Sequence, residues 1–199
     1  MSQKVILATG NQNKVREVRQ ILDGLDLDVR TMKEEGIASN PEETGTTFEE
    51  NAMIKAQAIA DLAKDAIVLA DDSGLEIDYL GGEPGIYSAR YLGEDTSYDI
   101  KNAKLIERLD GVPKEDRTAR FVCAMACILP NGKSFTTRGT IEGYIGWEPA
   151  GENGFGYDPI FYVDEYGCST AQMTAEQKNA ISHRGNALRA LRLELEKEC

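Results

Sequence analysis

This chain of 199 residues has a single histidine, His183. No cluster of histidines can hold a metal here, and any metal chemistry falls to oxygen ligands, which suit a hard cation such as magnesium. Its four cysteines, Cys123, Cys127, Cys168 and Cys199, show no C-x-x-C pair. Cys123 and Cys127 stand in an apolar run and read as buried thiols. No apolar run approaches the roughly 18 residues that a membrane span requires, so a membrane partner is not expected. Positive charge is scarce: 22 Lys and Arg stand against 34 Asp and Glu, for a formal charge of -12. That is a poor surface for nucleic acid, which needs a basic field, but a local basic island can still hold a small phosphorylated ligand. The start, Met-Ser-Gln-Lys, enters a short strand directly with no signal peptide, and a cytoplasmic location is expected.

What remains is an ordinary globular composition, 41% hydrophobic and 28% charged. The length suits one large domain or two small lobes, and such a chain buries roughly 70% of the surface its unfolded form exposes.

Val5–Ala8 reads as a buried strand, followed by the polar loop 9–13 and a helix over 14–22 with Val15, Val18, Ile21 and Leu22 at helical spacing, closed by Gly24. A short strand is expected at 29–31 and a surface loop at 33–47. Thr47 with Glu50 forms a capping box for an alanine-rich helix to about Lys64. Residues 66–70 read as a strand, 75–93 as irregular, and 99–109 as a helix with Ile100, Leu105, Ile106 and Leu109 inward. Strands over 120–129 and 134–143 flank Asn131-Gly132, a strong hairpin signal. A glycine-rich loop (151–159), a short strand (160–163), a short helix (174–181) and a last helix capped by Ser182 complete the chain. The order argues for an α/β fold with a mixed sheet and a hairpin-bearing second lobe.

Five segments can carry chemistry. In Leu69-Ala70-Asp71-Asp72-Ser73-Gly74 a strand ends in two carboxylates and a hydroxyl, the end at which α/β proteins bind ligands; Asp, Ser and Gly are equally turn formers. In Thr9-Gly10-Asn11-Gln12-Asn13-Lys14 a strand feeds a glycine turn and a helix start, which suits phosphate or an ordinary connection with a solvated lysine. The acidic loop around Glu43 can complete a magnesium shell with Asp72, or serve the dipole of the helix that follows. Asn51 and Lys55, four apart on that helix, reach toward a phosphate or into water. Gly154-Phe155-Gly156-Tyr157-Asp158-Pro159 offers a flat ligand a ring to stack on, or is a tight turn whose aromatics enter the core. Lys178 with Ser182-His183-Arg184 concentrates cations fit for a polyphosphate, or His183 and Arg184 pair on the surface with Glu176 or Glu194.

Taken in order, these segments resemble the inosine/xanthosine triphosphate pyrophosphatase family over nearly the whole chain. The residues that carry the resemblance are Ala8-Thr9-Gly10-Asn11 with Lys14, Glu43, Thr47-Phe48-x-x-Asn51-Ala52 with Lys55, and Ala70–Leu75. Gly82-x-Pro84–Arg90, Gly154–Phe161, Lys178 and Ile181–Arg184 complete the set. One departure is Gln172, where relatives carry an acidic residue. The resemblance implies an elongated mixed β-sheet flanked by helices, with residues 1–199 forming one domain of two lobes that enclose an active-site cleft, and a homodimer. It implies magnesium-dependent conversion of ITP, dITP and XTP to the monophosphate and pyrophosphate, which cleanses the nucleotide pool. Residue by residue, Thr9, Gly10, Asn11, Gln12, Asn13 and Lys14 then cradle the triphosphate. Glu43 and Asp72 hold magnesium, Asp72 also takes the proton of the attacking water, and Ser73 contacts substrate. Phe155 stacks on the base with Gly156, Tyr157 and Asp158 beside it. Lys178 binds phosphate or base, and His183 and Arg184 read the purine edge.

A donor such as Arg184 at the 6-oxo group would reject ATP, and a site with no acceptor for the 2-amino group would reject GTP. Two other readings use the same scaffold: a pyrophosphatase for modified pyrimidine nucleotides, and a nucleotide sensor. A purely structural domain leaves Lys14, Lys178 and Arg184 unexplained.

Overall fold

The computed structural model describes residues 2–198. Seven strands, β1 (Gln3–Leu7), β2 (Leu27–Thr31), β3 (Ile67–Ile77), β4 (Thr118–Ile128), β5 (Ser134–Ile145), β6 (Phe161–Val163) and β7 (Cys168–Ser169), form one sheet in the order β2-β1-β3-β4-β5-β6-β7. The helices are α1 (Gln12–Leu22), α2 (Phe48–Ala60), α3 (Tyr98–Arg108), α4 (Ala175–Ile181) and α5 (His183–Glu198), with short 3₁₀ segments between. The sheet is mixed, as expected: β1 runs parallel to β2 and β3, while β6 is antiparallel to β5 and β7. The chain divides into two compact units. The first comprises residues up to Asp72, 123–139 and from His183 on; the second comprises 73–122 and 140–182.

In the first unit the core lies between the sheet and two helices. Val5, Leu7, Ile67, Leu69, Cys123, Met125 and Cys127 pack against Val15, Val18 and Leu22 of α1 and Ala187, Leu188 and Leu191 of α5. These strand positions are all odd-numbered, as the two-residue strand period requires. The even positions Ile6, Val68 and Ala70 are equally buried, so both faces are covered. Burial pushes the Cys123 and Cys127 thiols up to about 12. The Asn131-Gly132 turn closes as expected, with the Leu129 N–H donating to Lys133 O at 2.8 Å and Gly132 at φ +85°. In the second unit Leu75, Ile77, Leu105, Leu109, Phe121, Ile145, Ile160 and Phe161 form the core.

Four expectations need correction. The strand read over 66–70 continues to Ile77, straight through Asp71-Asp72-Ser73-Gly74. Its parallel pairing with β1 nevertheless ends at Leu7–Leu69 and the Ala8 N–H to Leu69 O bond of 2.8 Å. The two carboxylates therefore still lie just past the carboxyl end of β1. α2 stops at Ala60, and its capping box is one-sided: Thr47 Oγ1 accepts from Glu50 N at 3.1 Å, but Glu50 Oε2 accepts from Thr46 N at 2.7 Å instead of reaching back to Thr47. Ile100 is 58% exposed; Lys101 and Asn102, buried one turn before Leu105, take the inward positions. β7 forms between 163 and 174, where the sequence carries no expected element.

Candidate active site

In the first unit, β1 delivers the chain to Thr9, whose Oγ1 accepts from Asn11 N at 3.2 Å. Asn11 caps α1, its Oδ1 accepting from Asn13 N at 3.0 Å and Lys14 N at 3.3 Å. Two first-turn amides are thus already taken by the cap. Gly10 meets nothing within 4 Å at its missing Cβ, so space does not demand a glycine there. Gln12 and Asn13 open the helix, and Asn13 Oδ1 accepts from Arg16 at 3.1 Å. Lys14 turns inward and places Nζ 2.9 Å from Asp71 Oδ2.

The same Asp71 oxygen receives Arg184 Nη2 at 3.3 Å, while Arg184 Nη1 donates to Glu17 of α1. The arginine is 1% exposed, so the surface pairing considered for it is excluded. His183 beside it is also buried. Burial opposes ionisation of Asp71, but the Lys14, Arg184 and Lys55 cations overcome it and hold its pKa well below the carboxylate range. Burial likewise opposes the Arg184 charge, and Asp71 and Glu17 raise it back above the ordinary value.

Asp72 faces the other way. Lys55 of α2 donates to its Oδ1 at 3.0 Å and to Glu43 Oε1 at 2.9 Å. Desolvation raises the Asp72 pKa, helped by Glu43 and opposed by Lys55. Burial works against the Lys55 ammonium, but Asp72, Asp71 and Glu43 keep its pKa above the ordinary value. Asp72 Oδ2 is buried with no hydrogen-bond partner among the described residues. Such an oxygen is costly unless something fills its lone pairs. Among the described residues no group of three or more His, Cys, Asp and Glu is assembled to hold a metal. The two carboxylates of Glu43 and Asp72 fit magnesium, which keeps several waters and takes one or two carboxylates together with substrate phosphates.

In the second unit the glycine-rich loop folds around one carboxylate. Asp158 Oδ2 accepts from Phe155 N at 2.8 Å and from Lys178 Nζ at 2.7 Å, and its Oδ1 accepts from Thr170 Oγ1 at 2.8 Å. Gly154 sits at φ +71°, and a Cβ there would strike the Asp158 carboxylate, so only glycine serves. Lys178 Nζ also lies 5.1 Å from the centre of the half-buried Phe155 ring. The carbonyl of Gly156 accepts from Asn102 Nδ2 at 3.1 Å. Tyr157 enters the core: it is 4% exposed, meets Tyr98 edge-on at 5.1 Å and donates to Ser88 O at 2.7 Å. Ser73, on β3, is half-buried. Gln172 donates nothing to a charge cluster; its Oε1 accepts from Ser169 N at 3.0 Å in a small capping box.

Residues 5–194 match the family model described as the Ham1 family. The chain belongs to the Ham1 family. It is 50% identical over 189 residues to a dITP/XTP pyrophosphatase of Bacillus licheniformis, covering 94% of this chain and 95% of that protein. The corresponding protein of Bacillus subtilis is also 50% identical, over 188 residues and 94% of each chain. The solved structure of the Staphylococcus aureus Ham1 protein superposes with a TM-score of 0.88 at 43% identity, over 99% of this chain and 100% of that one.

Of the residues singled out in this Ham1 chain, Lys14, Asp71 and Arg184 meet in one ion-paired group. Glu43, Lys55 and Asp72 meet in a second, and Phe155, Asp158 and Lys178 in a third. Sequence reading missed Glu17 and Asn102. Glu17 had one signal, a carboxylate on the buried side of α1 one turn after Lys14. Asn102 had none, since its partner lies 54 residues away.

Proposed function

We propose that this chain hydrolyses the deaminated purine nucleotides ITP, dITP and XTP to the monophosphate and pyrophosphate, using magnesium. The observation that carries the substrate class is the 50% identity, across almost the whole chain, to proteins named dITP/XTP pyrophosphatase. Water adds across the α–β phosphoanhydride, the P–O bond to pyrophosphate breaks, and the water proton passes to a carboxylate. Asp72 is that carboxylate, because its Oδ2 is buried and unpartnered and its pKa is raised by desolvation. A base so tuned holds the transferred proton better than an exposed carboxylate.

Glu43 and Asp72 would hold magnesium, which when bound neutralises charge on the phosphate oxygens. Thr9, Gly10, Asn11, Gln12, Asn13 and Lys14 bind the triphosphate, and Lys14 supplies fixed positive charge for a reaction in which positioning and electrostatics dominate. Ser73 contacts substrate. Phe155 stacks on the base, carried by Gly156, Tyr157 and Asp158, with Lys178 at its edge. His183 and Arg184 are assigned to the purine edge. The chain acts as a homodimer of two-lobed subunits in the cytoplasm.

The test is pyrophosphate release from ITP, XTP, dITP, ATP, GTP and dTTP, with and without magnesium, alongside Asp72→Asn. Magnesium-dependent release from ITP and XTP that is lost in the variant supports the reading. Release from another nucleotide of the panel moves the substrate class, and tight ITP binding without turnover turns the protein into a sensor.

A further inference from the structure

We propose that Asn51 is the positioning residue for Glu43, through Gly45. The inference rests on the reading of Glu43 as a magnesium ligand and adds to it how that ligand is set in place. Glu43 stands in a segment without regular structure ahead of α2, where a long flexible carboxylate has no fixed aim of its own.

The loop is tied to the start of α2 at consecutive residues. Asn51, fully buried at 0% exposure, accepts the Gly45 N–H on Oδ1 at 2.8 Å. Glu50 Oε2 accepts from Thr46 N at 2.7 Å and Thr46 Oγ1 at 2.9 Å, and Thr47 Oγ1 accepts from Glu50 N at 3.1 Å. The fit at Gly45 is steric as well as polar. A Cβ there would lie 2.6 Å from Asn51 Oδ1 and 2.7 Å from Glu50 Cβ. Glycine is demanded by close approach, since its φ is not positive.

One turn after Asn51 on the same helix, Lys55 reaches Glu43 and Asp72 at once. α2 therefore holds the loop at Gly45 through Asn51 and the carboxylate at Glu43 through Lys55. If a cation replaced the Lys55 contact, the ties at Gly45 and Thr46 would still fix the loop that carries Glu43. Asn51 Nδ2 is buried with no hydrogen-bond partner among the described residues. A buried orphan donor is unfavourable, and a fully apolar side chain would avoid it. The side chain is explained by its other end, the acceptor that Gly45 requires.

Groups that orient a metal ligand from behind typically change metal affinity by about 10-fold to 100-fold when removed. The experiment titrates Mn²⁺, followed by its EPR signal, into the full-length protein saturated with α,β-methylene ITP, whose bridging carbon resists cleavage. Wild type is compared with Asn51→Leu, Gly45→Ala, Glu43→Gln and the Asn51→Leu/Glu43→Gln pair. Asn51→Leu and Gly45→Ala should each weaken Mn²⁺ binding by about 10-fold, with kcat at saturating magnesium within about threefold of wild type. On the Glu43→Gln background, Asn51→Leu should add less than about twofold, because its effect travels through Glu43. An equal loss on both backgrounds overturns the proposal, as does unchanged Mn²⁺ binding in Asn51→Leu and Gly45→Ala while Glu43→Gln weakens it. Unchanged binding in Glu43→Gln overturns the magnesium reading itself. If Asn51→Leu does not fold, Gly45→Ala alone and with Glu43→Gln decides the matter.

Discussion

Asp71 and Asp72 are neighbours in the chain and serve opposite faces of the sheet. They lie in β3, where successive side chains alternate. Asp71 meets Lys14 of α1 and Arg184 of α5, and Asp72 meets Lys55 of α2. The same substitution at the two positions should therefore fail in different ways. Asp72→Asn should lower pyrophosphate release by about 10²-fold to 10⁴-fold, the usual worth of a general base, with little change in the urea midpoint. Asp71→Asn leaves half-buried Lys14 and buried Arg184 short of a counter-charge, and breaking a buried pair costs about 3–5 kcal/mol. Equilibrium urea unfolding of both variants, beside their turnover, checks the contrast.

Arg184→Ala should lose the same order of stability, about 3–5 kcal/mol, since Glu17 and Asp71 stay buried without that cation. It should also lose preference for ITP over ATP. Full retention of that preference, measured as the ratio of kcat/KM values, removes Arg184 from base reading and leaves it the anchor of Asp71 alone.

Glu34 gives the protein a stability dependence at low pH. Arg19 Nη2 at 2.7 Å and the Thr31 N–H at 2.7 Å hold its pKa down to about 2, from an ordinary 4.5. Between those values the unfolded chain binds the proton and the folded one does not, so stability rises with pH across the window. The contribution is complete above 4.5 and is lost as the pH falls through about 2. Urea midpoints measured across that range should fall less steeply on acidification in Glu34→Gln than in wild type. Arg19→Ala should remove only part of the effect, because the Thr31 bonds remain.

Thiol labelling should separate the cysteines by burial. Cys168 is free and partly accessible, whereas Cys123 and Cys127 are buried with pKa values near 12. A thiolate is the reacting form, so alkylation at neutral pH followed by peptide mapping should modify Cys168 in the native protein. Cys123 and Cys127 should react only in denaturant.

Local chemistry was the part of the fold open to reading from the chain. Thr47 as a helix cap and Asn131-Gly132 as a hairpin turn both act on residues within four positions. The continuation of β3 through Asp71-Asp72-Ser73-Gly74 was hidden, because Asp and Gly are poor strand formers. What makes Asp71 acceptable there is Lys14 and an arginine 113 residues further on. The site was legible as a set of residue types and not as a set of partners. Arg184 reads from the chain as a donor to the purine edge or as a surface cation, and only folding brings Glu17, 167 residues away, against it. Asp158 looked like a ligand for a base, and the structure spends both its oxygens on Phe155, Lys178 and Thr170.

The division of the chain into interleaved stretches has a kinetic side. The first unit needs α5, since Leu188 and Leu191 close its core over Val15 and Val18. The second unit is drawn wholly from residues 73–182. Chains are synthesised from the amino end, and compact units fold as their residues emerge. On the ribosome the second unit therefore has all its residues before the first can close. The half that carries Lys14, Asp71 and Asp72 is among the earliest sequence made and the last to become competent, waiting with an open apolar face for the final helix.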